Sequence, residues 1–220
     1  MRLERVAAHV PAGARLADIG SDHGYLPVAL LRRGLMAGEV AATPFQAAER
    51  TVRENGLERH VSVRLADGLA AIEPGDAISA ISVCGMGGET IRDILDSGKA
   101  CLTGQERLIL QPNGGEQPLR QWLMDNGYRI LVEELLRENR FYYEIIVAER
   151  AEPRVYSAEE LYFGPLHLQA RSPDFLAKWQ RLLRQKQKTL AGFEQARQAL
   201  PPAKVQEVAR QVQWITALLA

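Results

Sequence analysis

Cys84 and Cys101 are the only cysteines among 220 residues. Their spacing matches no metal motif, and two thiols do not make a disulfide framework. No stretch approaches the roughly 18 apolar residues of a membrane span. The opening Met1-Arg-Leu-Glu-Arg5 lacks the apolar run of a secretory signal. Net charge is missing too, since 27 Lys and Arg balance 27 Asp and Glu, so the overall balance favours no class of partner. Internal repeats and low-complexity tracts are absent. What remains is a globular chain expected in the reducing cytoplasm, with no membrane segment and no metal. Its hydrophobic content of 46% fills a core for one large domain, or a medium domain with a small appendage.

What is present is unevenly placed. Residues 151–220 carry ten Lys and Arg against six Asp and Glu, which leaves a matching acidic excess in residues 1–150. A basic tail on an acidic body suits a polyanionic partner, although a solvated helix face gives the same count.

Leu3, Val6, Ala7 and Val10 recur at helical spacing and predict a short N-terminal helix. Arg15–Ile19 reads as a strand, followed by a glycine-containing loop at 20–24 and a helix opened by Pro27 and ended before Gly34. Met36–Ala41 is the second strand. Thr43-Pro44-Phe45-Gln46 predicts a helix start, with Thr43 as cap and Gln46 completing a capping box. Val61–Leu65, Ile78–Cys84 and Arg107–Gln111 are further strands. Helices at Thr90–Leu95 and Leu119–Met124 alternate with them. Ile130–Leu136 and Phe141–Glu149 then pair as an antiparallel hairpin. Alternation implies a mostly parallel sheet with helices on both faces. The closing hairpin is what SAM (S-adenosylmethionine) methyltransferases add to a nucleotide-binding fold. In the tail, two apolar runs at 3,4 spacing, from Leu176 to Phe193 and from Val205 to Leu219, flank Pro201-Pro202 and predict a helical hairpin. The expected class is therefore α/β: a Rossmann-like class I methyltransferase domain over residues 1–155, with a small coiled-coil-like helical domain over 156–220.

The chemistry concentrates in Asp18-Ile-Gly-Ser-Asp-His-Gly24, between a strand and a helix. Gly20 permits the tight turn. The middle glycine of the usual G-x-G-x-G is missing, and Asp22 stands there. A carboxylate would repel the pyrophosphate of a dinucleotide, whereas SAM presents a sulfonium and an ammonium group that it suits. The alternative is that Asp22 caps the helix. Asp18, Gly20, Ser21, Asp22 and His23 are thus candidate cofactor residues. His23 is also a candidate proton carrier, against the commoner reading of a surface histidine. Glu39, at the end of the second strand, is placed to accept ribose hydroxyls, unless it is only an exposed strand-end charge. Asp67, before Gly68, is placed to accept from an adenine amino group, unless the pair is simply a turn.

Strand four ends in Cys84-Gly-Met-Gly-Gly88, without the Asn/Asp-Pro-Pro-aromatic run common in enzymes that methylate exocyclic amino groups. Its glycines let backbone approach a flat ligand, or merely turn the chain. Cys84 and Gly85 join the cofactor candidates, and Met86 the substrate candidates. Strand five ends in Gln111-Pro112-Asn113, whose polar ends suit a substrate base, with capping as the alternative for Asn113. Arg171, Lys178, Arg181, Arg184, Lys186 and Lys188 are opposed in their stretch only by Asp174. All except Lys186, which falls on the apolar seam and can snorkel out of it, are candidate phosphate contacts.

Arg15-Leu-Ala-Asp-Ile-Gly-Ser-Asp-His-Gly-Tyr-Leu-Pro27, Gly38-Glu-Val40, Asp67-Gly68, Gly85-Met-Gly-Gly88, Leu108-Ile-Leu-Gln-Pro-Asn113, Tyr143-Glu-Ile-Ile146 and Phe163-Gly-Pro165 together resemble the TrmK family, the bacterial tRNA (adenine(22)-N1)-methyltransferases. The resemblance spans essentially the whole chain. Thr43, Cys84 and Gly114-Gly115 depart from the family's pattern. It implies SAM as donor, tRNA as partner, N1 of an adenine as acceptor and Asp22 as the catalytic residue. Competing readings are a SAM methyltransferase of a small molecule or protein with the tail as lid or dimerisation arm, a binding module without turnover, and an NAD-dependent oxidoreductase, which Asp22 disfavours. A monomer is compatible with the sequence.

Overall fold

The computed structural model describes residues 2–20, 26, 35–39, 42–194 and 201–220. Its strands are β1 (Leu16–Ile19), β2 (Leu35–Glu39), β3 (Val61–Leu65), β4 (Ala80–Met86), β5 (Arg107–Pro112), β6 (Tyr128–Glu138) and β7 (Phe141–Arg150). Among them lie helices α1 (Arg2–Ala8), α2 (Ala42–Glu54), α3 (Gly88–Ser97) and α4 (Glu116–Asp125). Helices α5 (Ala158–Phe163), α6 (Pro165–Ala170), α7 (Pro173–Glu194) and α8 (Pro202–Leu219) follow.

The strands form one seven-stranded sheet of order β3-β2-β1-β4-β5-β7-β6. The first five pair in parallel, and β7 runs antiparallel to both β5 and β6. Period-two alternation explains how the sheet is covered. Along β5, Leu108 and Leu110 face a cluster with Ile91 and Leu95 of α3 and Leu119 and Leu123 of α4. Ile109 faces the opposite cluster, with Val6 of α1, Val52 of α2, and Ile145 and Val147 of β7. Both faces are buried, as a parallel sheet requires.

The mostly parallel α/β architecture and the closing hairpin are as the sequence predicts. Helix α2 begins at Ala42, one residue before Thr43. The helix expected after Pro27 lies outside the described residues, apart from buried Leu26. Helices α5 and α6 were not expected. The signal for α5 is present in the sequence: Ser157 accepts from the Glu160 amide and Glu160 accepts from the Ser157 amide, a full capping box.

The chain divides into two units, Met1–Leu166 and His167–Ala220. The break falls after residue 166 and not at the expected 155/156, because the intervening segment is bonded into the first unit. The Tyr156 hydroxyl receives the Ile130 amide at 3.2 Å. The Arg120 guanidinium donates to the Leu161 carbonyl at 3.2 Å. Arg120 itself is fully buried. Its Nε donates to Glu133 at 2.6 Å and another of its nitrogens to Glu144. Burial alone would weaken its charge, but the two carboxylates overcome that and hold it protonated.

In the second unit α7 and α8 form a helical hairpin. Phe175 and Trp179 are buried on α7, Ile215 and Leu218 on α8. Lys186 Nζ donates to Gln211 Oε1 at 2.6 Å across the seam. No described helix is long and apolar enough to cross a membrane.

Candidate functional site

Because β1 to β5 run in parallel, their carboxyl ends lie along one edge, and those sequence-predicted residues of the first unit that the structure describes gather there or just beneath it. Ligands of open α/β sheets bind at this edge, near where strand order reverses between β1 and β4. Asp18 and Ser82 are register partners on those two strands. Asp18 is 3% exposed and accepts the Ser82 hydroxyl at 2.6 Å. It therefore braces β1 against β4 below the edge. Ser82 was not anticipated, since only the strand register brings it to Asp18.

Gly20 ends β1 with φ +68°, and the Met86 methyl group lies 2.0 Å from where a Cβ would stand. The Met86 side chain could move aside, so it is the positive φ that favours glycine here. Ser21, Asp22 and His23 lie outside the described residues. Glu39 is the last residue of β2 and pairs with Leu65. Asp67 follows β3, is exposed, and makes no side-chain capping bond to the short 3₁₀ turn Gly68–Ala71. The turn therefore does not use its carboxylate. Gly68 adopts φ +53° and is buried against Ile94.

The loops after β4 and β5 are stitched together. The Gly85 amide donates to Gln111 Oε1 at 3.2 Å, and the Gly85 carbonyl accepts from Asn113 Nδ2 at 2.8 Å. Gln111 Nε2 also donates to the Pro112 carbonyl and to Asn113 Oδ1, at 2.9 and 3.0 Å. The Asn113 amide donates to the Met86 carbonyl and the Gly88 amide to the Gly114 carbonyl, both at 2.7 Å. A Cβ on Gly88 would stand 2.0 Å from the Gly115 carbonyl oxygen. These glycines let two loops touch through their backbones, and this is what the Gly114-Gly115 departure accommodates. Gln111 and Pro112 are buried, so both work as supports here, while Asn113 and Gly85 remain exposed. Burial and then Asp18 push the Cys84 thiol far up, with the Arg2 guanidinium opposing. Cys84 is thus a neutral packing thiol and not a nucleophile.

The groups at this edge fit SAM. Exposed Gly85 has open space where a Cβ would be, and Asp67 keeps a carboxylate available for hydrogen bonding. In the second unit, Arg181, Arg184 and Lys188 are exposed along α7, and Lys178 lies 5.3 Å over the Trp179 ring. Arg171 is drawn elsewhere: its guanidinium donates to the Leu218 carbonyl at 2.7 Å and so caps the end of α8.

Several known proteins resemble this chain over most of its length. The family model that matches residues 16–216 is described as "TrmK: tRNA (adenine(22)-N(1))-methyltransferase". A Bacillus subtilis (strain 168) protein named tRNA (adenine(22)-N(1))-methyltransferase is 42% identical over 207 residues, covering 90% of this chain and 85% of that protein. The crystal structure of the B. subtilis M1A22 tRNA methyltransferase TrmK superposes with a TM-score of 0.91 at 38% identity, covering 100% of this chain and 97% of that one. A Streptococcus pneumoniae structure in complex with S-adenosyl-L-methionine gives 0.89 at 41% identity, covering 100% and 98%.

Proposed function

The chain belongs to the TrmK family of tRNA (adenine(22)-N(1))-methyltransferases, and from that premise we propose that it methylates N1 of adenine 22 in tRNA with SAM as donor. The observation that carries the site assignment is the row Glu39, Asp67 and Gly85 at or beside the carboxyl ends of β2, β3 and β4, with buried Asp18 just beneath it on β1.

Bound SAM supplies an electrophilic methyl group on a sulfonium. Glu39 accepts the ribose hydroxyls, Asp67 accepts from the adenine ring of the cofactor, and Gly85 gives the cofactor close backbone access. Gln111 and Asn113 hold Gly85 in place, and Met86 and Asn113 border the substrate base. Adenine N1 has a lone pair and no proton to lose, so it needs positioning more than a strong base. As N1 bonds to the methyl carbon, the carbon–sulfur bond breaks and the positive charge passes to the base. Asp22, two residues beyond Gly20, orients the exocyclic amino group and stabilises that developing charge; neither step calls for a metal. N1 lies on the Watson–Crick edge, so the target adenine must be unpaired or flipped out. Lys178, Arg181, Arg184 and Lys188 contact phosphates and position the RNA without reading its sequence. The same reading places the enzyme with tRNA in the cytoplasm.

The test is incubation with SAM and unmodified bacterial tRNA, then nucleoside mass analysis and mapping of the reverse-transcription stop. A new 1-methyladenosine at position 22 is expected. SAM binding without tRNA methylation would sink this reading in favour of a small-molecule or protein substrate.

A further inference from the structure

The tip of the β6–β7 hairpin carries a half-exposed aromatic ring with guanidinium groups close by. Leu110 of β5 pairs with Ile146 of β7, which brings Pro112, the end of β5, level with Glu144. Residues 141–143 and their β6 partners 136–138 therefore overhang the carboxyl edge by roughly 10 Å. Phe141 and Tyr143 share one face of the overhang, with ring centroids 6.4 Å apart. The Arg2 guanidinium lies 4.8 Å from the Tyr143 centroid, and that of Arg140 lies 5.2 Å from the Phe141 centroid. On the other face Arg137 lies 5.9 Å from the Tyr142 centroid. Phe141 is 50% exposed although Ile145 and Val147, further along the same face, are fully buried.

The overhang is fixed in place. The Arg2 amide donates to Glu138 Oε1 at 2.6 Å, and Arg5 and His9 bond Glu134 at 2.6 and 2.9 Å. Glu138 is the one carboxylate among residues 136–143, and it faces the start of α1. An exposed ring among guanidinium groups, held rigidly, is what single-stranded nucleic acid requires: rings stack on bases and cations meet phosphates. The end of β4 is two strand spacings from β7, again roughly 10 Å, a span that a few nucleotides bridge.

We propose that this tip is a stacking platform for an unpaired nucleotide adjoining the methylated adenine, with Phe141 taking the base and Arg137 and Arg140 the flanking phosphates. The platform rests on the tRNA reading above. It serves that reaction because extruding a base unstacks its neighbours, and Phe141 replaces part of the stacking they lose.

The test is filter binding of an unmodified tRNA transcript without SAM, over a series of salt concentrations, beside initial-rate methylation. Phe141→Ala weakens transcript binding about tenfold. Phe141→Trp stays at the wild-type level and Phe141→Leu behaves like Phe141→Ala, because a stack needs a π face and not merely apolar bulk. Arg137→Ala combined with Arg140→Ala flattens the slope of log K against log salt by about 1–2. SAM affinity by calorimetry and the thermal midpoint stay unchanged in all of them. Equal affinity across the Phe141 variants, with an unchanged salt slope, would overturn the platform. Wild-type protein that binds the transcript but leaves it unmethylated overturns the reaction proposed above, and the binding series still decides the platform. Wild-type protein that binds no transcript overturns both.

Discussion

In the sheet unit Arg120 is enclosed between Glu133 and Glu144 with no side-chain exposure of its own, whereas in the helical unit Arg181, Arg184 and Lys188 stand in solvent along α7. The enclosed cation is satisfied by carboxylates and carbonyls of its own chain, so its work is internal. Of the exposed row, Arg184 and Lys188 add nothing to a core and are open to an outside anion. The same residue types are thus structural in one unit and available for binding in the other, and burial separates the two roles.

Removing the enclosed charge should have the largest effect. Arg120→Met leaves two carboxylates buried without their cation and costs about 3–5 kcal/mol, read as a lowered denaturant midpoint. A variant as stable as wild type would show that the network contributes little. Next comes the proposed chemistry of the sheet unit. Asp22→Asn lowers kcat by about 10²–10³ while SAM and tRNA affinities hold; undiminished turnover would remove Asp22 from the reaction. In the helical unit, Arg181→Ala, Arg184→Ala and Lys188→Ala together raise KM for tRNA and flatten the salt slope by about 2–3 with kcat unchanged. A loss confined to kcat would erase the division of labour between the units.

The smallest effect is a contrast in pH response. Asp76 is held below the ordinary carboxylate range by Arg64. Burial works to raise Glu106, but the Thr103 hydroxyl and the backbone amides of Thr103 and Gly104 outweigh it and hold the group low. Such carboxylates bind fewer protons in the native state than unfolded. Their stabilisation is complete above about pH 5 and is lost as pH falls through about 4 and below. Lys186 in the helical unit is lowered by burial, with Glu207 opposing. Its native state also binds fewer protons, so stability rises with pH up to the unfolded lysine value near 10. Acid unfolding should therefore ease in a Glu106→Gln variant, whose baseline is already lower, and Lys186→Met should stabilise by about 0.5 kcal/mol. Lower stability in Lys186→Met would show that the bond to Gln211 outweighs the burial of the charge.

Local pattern decided what the sequence disclosed. Val61–Leu65 is a strand to the residue because its alternation is self-contained, and the edge positions Glu39, Asp67 and Gly85 follow from strand ends. The Arg120 network was invisible because residues 120, 133 and 144 meet only through α4, β6 and β7. Asp18 and Ser82 likewise need the strand register. Gln111 reads as a substrate contact until β4 and β5 are paired, when its amide turns out to serve Gly85. Arg171 reads as one more cation until the return of α8 gives it a carbonyl to cap. For α5 the signal is local, the Ser157–Glu160 capping box.

The position of β7 between β5 and β6 sets a timetable for the emerging chain. While residues 1–125 leave the ribosome, β5 is an open apolar edge, and Leu108 to Leu110 have no neighbour on that side until residue 150 has been made. Helix α1, made well before the hairpin, finds Glu134 and Glu138 only when the hairpin arrives. An early segment therefore waits for one of the youngest of its unit, and a nascent chain arrested before residue 150 should be held by chaperones through that unpaired edge.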